Sequence, residues 1–391
     1  MLNTSFSPWP CFTEEEADAV REVILSNRVN YWTGEECRLF EKEFAEWTGA
    51  EYAVALANGT VALDVALQVL GIGAGDEVVV TPRTFLASVS SIVNAGATPV
   101  FAEVDRNSQN ITAETIRAAL TPRTRAVVCV HLAGWPCDMD PIMALAAEHD
   151  LKVIEDCAQA HGARYKGRSV GTIGHVGAWS FCQDKIISTG GEGGMVTTNS
   201  RELWSTMWSL KDHGKSWEAV HQPHSGSGFR WLHERFGTNW RMMEVQAVIG
   251  RIQLRRLNAW HARRLANAER IWDCARQLPA LRAPRIGTDT VHAAYKCYLF
   301  VEPQRLAVGW DRDRILSEIN ARGVPCFCGS CSEVYLEKAF DNTGLRPAAR
   351  LPVARELGET SLMFLVHPTL TDAEIDKTCA VLADVMTAAT Y

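Results

Sequence analysis

From residue 52 to residue 156, short apolar runs alternate with amphipathic stretches. YAVALA leads into a helical pattern opened by Asn58, Gly59 and Thr60, and EVVVT leads into one opened by Thr84 and Phe85. TPVFAEV precedes a helix from Thr112, AVVCVHL precedes one from Met139, and LKVIED closes the series. Strands that are apolar along their whole length are buried on both faces, the condition of parallel strands covered by their own crossover helices. The alternation therefore predicts an α/β fold with a mainly parallel sheet, right-handed crossovers and helices on both faces. It also says where chemistry belongs, because ligands in such sheets sit outside the carboxyl ends of the strands.

At 391 residues the chain exceeds what one hydrophobic core usually sustains, so a large unit over 1–255 and a smaller C-terminal unit over 256–391 are expected. Thr13 and Glu16 form a capping box that starts a helix to about Ser26. A loop with Tyr31, Trp32, Thr33 and Gly34 leads to a second helix, CRLFEKEFAEWTG. Apolar residues at helical spacing (Val245, Val248, Ile249, Ile252) predict a long helix from about Arg241 to Leu278. Beyond it, YKCYLFVE reads as a strand, RDRILSEINARG as a helix ended by Gly323, and LTDAEIDKTCAVLADVM as a capped terminal helix.

The charge balance, 39 basic against 46 acidic residues, gives a net charge of −7 without blocks of like charge, which argues against nucleic acid as a partner. Twelve cysteines scattered through apolar runs do not form a disulfide framework and point to a reducing, cytoplasmic setting. Cys326, Cys328 and Cys331 lack a nearby fourth ligand and ordinary zinc spacing, so no metal is expected there. The start, MLNTSFSPWPCFTEEEAD, has neither the basic opening nor the apolar core of a signal peptide, and no run has the apolar length of a membrane span.

The residues that speak of chemistry lie at strand ends. Lys185 follows the strand-like HVGAWSF and precedes a glycine cluster, Gly190, Gly191, Gly193 and Gly194, which places it on a tight, poorly solvated turn. By default such a lysine is a solvated surface charge; desolvated beside another cation, its amine becomes a nucleophile able to form a Schiff base with a carbonyl. Asp156 ends the run LKVIED. A strand-end aspartate is ordinarily a cap, but in a cleft without an adjacent basic residue it calls for a cation. The protonated pyridine nitrogen of pyridoxal 5'-phosphate (PLP) supplies one, and the carboxylate keeps that proton in place. Gln159 could reach the ring's phenolic oxygen. Gly59 and Thr60, at a helix start, can hold a phosphate or simply cap a helix. Phe85 can stack on a flat ring or pack in a core.

Taken together, the stretches NGTVAL (58–63), GDEVVVTPRTF (75–85), VIEDCAQAHGARYKGRSVGTIG (153–174), SFCQDKIISTGGEGGMVTTN (180–199) and GTNWRMMEVQAVIGRIQL (237–254) resemble the DegT-type nucleotide-sugar aminotransferases over nearly the whole chain. These are fold-type I, aspartate-aminotransferase-like PLP enzymes. The resemblance implies that Lys185 binds PLP covalently, Asp156 pairs with its ring nitrogen, Gln159 meets the phenolic oxygen and Phe85 stacks on the ring. It implies that Gly59, Thr60 and the Ser180 hydroxyl hold the phosphate. It further implies that Asn239 reaches the phosphate in a neighbouring subunit, making a homodimer part of the site. The aromatic loop at 31–34 is expected near the substrate or at a dimer contact.

The implied reaction is transfer of an amino group from L-glutamate to a nucleotide-linked keto-sugar, a 4-keto-6-deoxyhexose by likeness, with ping-pong kinetics. Arg28, Arg230, Arg235 and Arg241 are candidates for the anionic substrate. Three departures and three rivals frame the reading. Arg83 and Cys157 stand where relatives carry small residues, and the cysteine-rich segment 324–340 is unusual. A sugar dehydratase on this scaffold loses the lysine that Lys185 retains, and a non-catalytic regulatory relative would show damage at Lys185 or Asp156. A dinucleotide enzyme would need the G-x-G-x-x-G that is missing after the first strand.

Overall fold

The computed structural model describes residues 5–223 and 228–390. Its centre is a seven-stranded sheet of β1 (Tyr52–Leu56), β2 (Glu77–Val80), β3 (Thr98–Phe101), β4 (Thr124–Val130), β5 (Lys152–Asp156), β6 (Val176–Ser180) and β7 (Gly194–Thr198), in the spatial order β1-β7-β6-β5-β4-β2-β3. From β3 to β6 every pairing is parallel, whereas β7 runs antiparallel to both β6 and β1. The expected mainly parallel sheet is therefore present, with one reversed strand.

The apolar runs are as deeply placed as their composition demands. Val78, Val79 and Val80 on β2 are fully buried, each contributing about 1.5–3 kcal/mol relative to exposure. Beyond β6 the core is aromatic, with Phe44 edge-on to Trp179 at 5.2 Å and to Phe181 at 5.6 Å, an arrangement that matches the positive ring edge to the negative ring face.

The capping box predicted at Thr13 and Glu16 is formed, and helix Glu14–Leu25 follows it. The helix after β2 starts later than the sequence pattern suggests. It spans Ala87–Asn94, because the Thr84 N–H is taken by the Cys331 carbonyl at 3.1 Å and the chain through Phe85 is held as a loop. Helix Glu244–Arg276 passes residue 255 without a break and packs against both the N-terminal helices and the terminal helix Asp372–Ala389. A second, four-stranded antiparallel sheet contains Leu281–Arg282, Cys297–Val301, Ser361–Phe364 and Cys326–Phe327 in that spatial order. It shares a core with Trp272, Ile315, Ile319 and Leu382. Among the described residues no helix is long and apolar enough to cross a membrane.

Candidate active site

A cavity of about 920 Å³ opens at the carboxyl ends of the parallel strands and gathers most of the singled-out residues: Gly59, Thr60, Thr84, Phe85, Gln159, Ser180 and Lys185 all line it. Lys185 stands on the turn after β6, its side chain 15 % exposed and its Nζ 3.4 Å from Asp184 Oδ1. Gly191, with φ of +120°, allows the return of this turn into β7. The Trp9 indole N–H donates to the Lys185 carbonyl at 2.8 Å, tying the N-terminal segment to the lysine's backbone.

Asp156 and its neighbour Glu155 point to opposite faces of β5 and have opposite electrostatic fates. Burial pushes both carboxyls up. At Glu155 that effect is outweighed by a bond to His131 at 3.0 Å and by the N–H groups of Gly171, Ile173 and Gly174, so its pKa lies below the usual range. Asp156 accepts only from Ser88 Oγ at 2.8 Å and the Ala158 N–H at 3.1 Å, and burial leaves it raised. It lies behind the cavity wall beside Ser88, next in sequence to the wall residue Ala87. A carboxyl so desolvated and so sparsely bonded is suited to a cation that is itself delivered from the cavity.

The other positions fit a phosphorylated pyridine in the same way. Gln159 Oε1 accepts from the Ala133 N–H at 2.7 Å, which leaves its Nε2 as the free donor on the cavity wall. Phe85 is 71 % exposed, an apolar ring presented to the cavity. Helix Gly59–Val69 is capped by Asn58, whose side chain accepts from the Val61 N–H at 2.9 Å, so the first N–H groups of the helix face the cavity. Here glycine is required: a Cβ on residue 59 would lie 2.5 Å from Ser180 Cβ. Gly59→Ala is expected to displace Ser180 from the phosphate cradle and weaken PLP retention by roughly tenfold or more, measured by equilibrium dialysis; unchanged retention would remove Ser180 and Gly59 from the cradle.

Several of the singled-out residues lie off this chain's own cavity. Arg28, Arg230, Arg235 and Arg241 are not on the cavity wall. Arg241 is bound to Asp212 at 2.8 Å and Arg230 donates to the Ala219 and Gln222 carbonyls, so these two spend their charge locally. Arg28 and Arg235 are exposed. The loop at 31–34 does not line the cavity either: Tyr31 is buried and bonded to Glu41 and Trp208, and Trp32 packs edge-on against Trp208 at 5.9 Å. Asn239 is exposed on a strand-like bridge to Asp212, outside this chain's own cavity. Arg83 is fully buried, donating to Gln109 at 2.9 Å and lying 5.3 Å over the Tyr298 ring.

Several wall residues carried no sequence signal, among them Asp184, Tyr295 and Lys296, whereas Cys331 and Glu337 belong to the cysteine-rich segment noted above. Tyr295 donates to Asp184 Oδ2, and the segment 324–340 contributes Gly329, Ser330, Cys331, Val334 and Glu337. Cys326 is buried, whereas Cys328 and Cys331 are exposed.

Comparison with known proteins agrees with this geometry. The model of the DegT/DnrJ/EryC1/StrS aminotransferase family matches residues 10–383. The spore coat polysaccharide biosynthesis protein SpsC of Bacillus subtilis is 36% identical over 381 residues, 96% of each chain. The GDP-perosamine synthase of Caulobacter vibrioides is 37% identical over 375 residues, covering 94% of this chain and 95% of its own. Among solved structures, the aminotransferase from Psychrobacter cryohalolentis superposes with a TM-score of 0.96 at 65% identity, over 98% of this chain and 99% of that one.

Proposed function

Because the chain belongs to the DegT/DnrJ/EryC1/StrS aminotransferase family, whose members use PLP, we propose that it transfers an amino group from L-glutamate to a nucleotide-linked keto-sugar. A 4-keto-6-deoxyhexose is the sugar class we favour. The observation that carries the reading is Asp156: a buried carboxyl, 6 % exposed, with no cation bonded to it among the described residues, behind the cavity that holds Lys185. The relatives named for GDP-perosamine and for spore coat polysaccharide support a nucleotide-sugar substrate and a role in amino-sugar supply to a surface polysaccharide or natural product.

Bound in this cavity, PLP supplies an aldehyde for capture by an amine and a protonated ring that withdraws electrons. The chain's own groups divide the remaining work. Asp156 holds the proton on the ring nitrogen, Phe85 covers a ring face, and Gln159 Nε2 donates to the phenolic oxygen. The Gly59 and Thr60 N–H groups with the Ser180 hydroxyl hold the phosphate. Lys185 Nζ would hold the cofactor and, when its amine is free, is the base placed to take the donor's α-proton and to deliver it again. Glutamate would leave as 2-oxoglutarate, with water supplying its keto oxygen and its amino group staying behind in the site. The keto-sugar would then take up that amino group and lose its carbonyl oxygen as water, with Lys185 moving the protons in reverse. One site serving both halves requires ping-pong kinetics. Segment 324–340, on the cavity wall, is where substrate selection is placed, not the arginines at 28, 230, 235 and 241.

Within the same reading, residues 1–255 form the large cofactor-binding unit and 256–391 the smaller one, and the enzyme works in the cytoplasm as a homodimer. Asn239, exposed here, would reach the phosphate held by a second copy. Asn239→Ala should weaken PLP retention by about tenfold or more, the scale of one hydrogen bond to a charged group. Mixed dimers of Asn239→Ala and Lys185→Ala chains should regain activity, since one of their two sites keeps both residues; mixtures as inactive as the Lys185→Ala parent would end the shared-site reading. The substrate assignment is tested by screening nucleotide-linked keto-sugars for glutamate-dependent amination, with products identified by NMR. A panel without any aminated product would overturn it.

A further inference from the structure

Beside the reactive lysine lies a guanidinium without a counter-charge. Arg264, on helix Glu244–Arg276, is 1 % exposed, and its Nε and Nη2 have no hydrogen-bond partner among the described residues. Its Nη1 reaches the Tyr295 carbonyl at 3.5 Å, and its charge rests 4.8 Å over the Trp9 ring. No carboxylate among the described residues pairs with it. A buried charge left uncompensated in this way is strongly unfavourable, and the ring face offsets only part of the cost.

The same side chain lines a second cavity of about 340 Å³, whose wall shares Asp184, Tyr295 and Lys296 with the main one. Lys296 brings a second cation. The single carboxylate on the wall, Asp184, is already engaged by Lys185 and Tyr295. His367 adds no charge, since burial, with Arg264 and Lys296 nearby, pushes it down to about 3. The remaining wall is largely apolar, with Pro8, Trp9, Phe327 and Val366.

We propose that Arg264 and Lys296 form the subsite for the side-chain carboxylate of a dicarboxylic amino donor, reached from the main cavity past Asp184. The proposal rests on the glutamate reading above. The two orphan nitrogens, Nε and Nη2, make up one edge of the guanidinium fork, the edge that presents two parallel N–H groups to the two oxygens of a carboxylate. Arg350 uses that same edge on Glu333 in this molecule. The apolar wall suits the methylenes between the donor's reacting carbon and its distal carboxylate. Phosphate can also meet such an edge with two oxygens, but it lacks the methylenes that the apolar wall would cover.

The test uses the PLP-loaded enzyme and two readouts. In single half-turnovers followed by cofactor absorbance, Arg264→Gln should lower kcat/KM for L-glutamate on the order of 10²-fold and bring its preference over L-glutamine close to unity. By calorimetry, glutarate should bind the wild type in preference to butyrate, and Arg264→Gln should abolish that preference. Lys296→Met should weaken both in the same direction, which keeps the test decisive if Arg264→Gln does not fold. An Arg264→Gln enzyme that stays selective for glutamate overturns the subsite and leaves the donor assignment intact. Inorganic phosphate displacing glutarate as well as glutarate displaces itself also overturns it. A wild type inert toward glutamate would instead sink the donor reading, and glutarate binding would then decide the subsite separately.

Discussion

Lys185→Ala is expected to lower glutamate-dependent amination by about 10⁴-fold or more, the scale of removing a general base, while leaving the fold intact. Two features make the loss specific. The side chain projects into the cavity with its Nζ 3.4 Å from Asp184, so its removal uncovers no core. Asp184 is 58 % exposed and keeps its bond from Tyr295, so the substitution leaves no unpaired buried charge. Among the described wall residues one other amine is present, that of Lys296, and burial pushes it down to about 8. If Lys185→Ala retained substantial turnover, the base would have to be Lys296, and the assignment of roles would change.

Asp156→Asn should produce the second largest loss, about 10³-fold in rate, with the opposite effect on the empty protein's stability. Asparagine keeps the shape and both bonds: its oxygen can accept from the Ala158 N–H, and its amide can donate to Ser88, whose hydroxyl then turns to Thr84 Oγ1 at 2.8 Å. What it loses is the charge that holds the ring proton. In the cofactor-free protein that charge is a liability, because burial raises the Asp156 pKa above its ordinary value. The folded state then holds the proton over a pH interval in which the unfolded chain has released it. Stability therefore falls as pH rises from the ordinary aspartate range through the raised value. Cofactor-free Asp156→Asn should melt above the cofactor-free wild type at neutral pH, and the gap should close as the pH is lowered toward the unfolded value. Adding PLP should stabilise the wild type more than the variant. Equal melting at all pH values, or equal response to PLP, would mean that Asp156 meets no ring cation.

Much of this site is legible in the sequence because each element carries its own local signal. A strand ending in Asp156, a helix opened by Gly59 and a glycine-rich turn after Lys185 are short-range patterns, and the topology of parallel strands brings their ends together. The rest depends on contacts across hundreds of residues. Nothing near Thr84 announces that its N–H will be taken by Cys331, so the helix start at Ala87 is a tertiary outcome. Tyr295 and Lys296 come from the edge of a strand in the second sheet, where the pattern reads only as core. Arginine is the least legible residue: Arg230 and Arg241 look available in sequence yet are spent on local partners, while the unpaired Arg264 is hidden in the middle of a helix. The reversal of β7 follows from the glycine-rich turn that presents Lys185, although the glycines by themselves do not say which way the next strand runs.

The central claim is that one amine, Lys185 Nζ, captures the cofactor. It is tested most directly by reducing the PLP-loaded protein with borohydride, digesting it and locating the pyridoxyl group by mass spectrometry. The group is predicted on the peptide that contains Lys185 and on no other. Its recovery on Lys296 or on any other lysine, or a protein that takes up no PLP before reduction, would contradict the account.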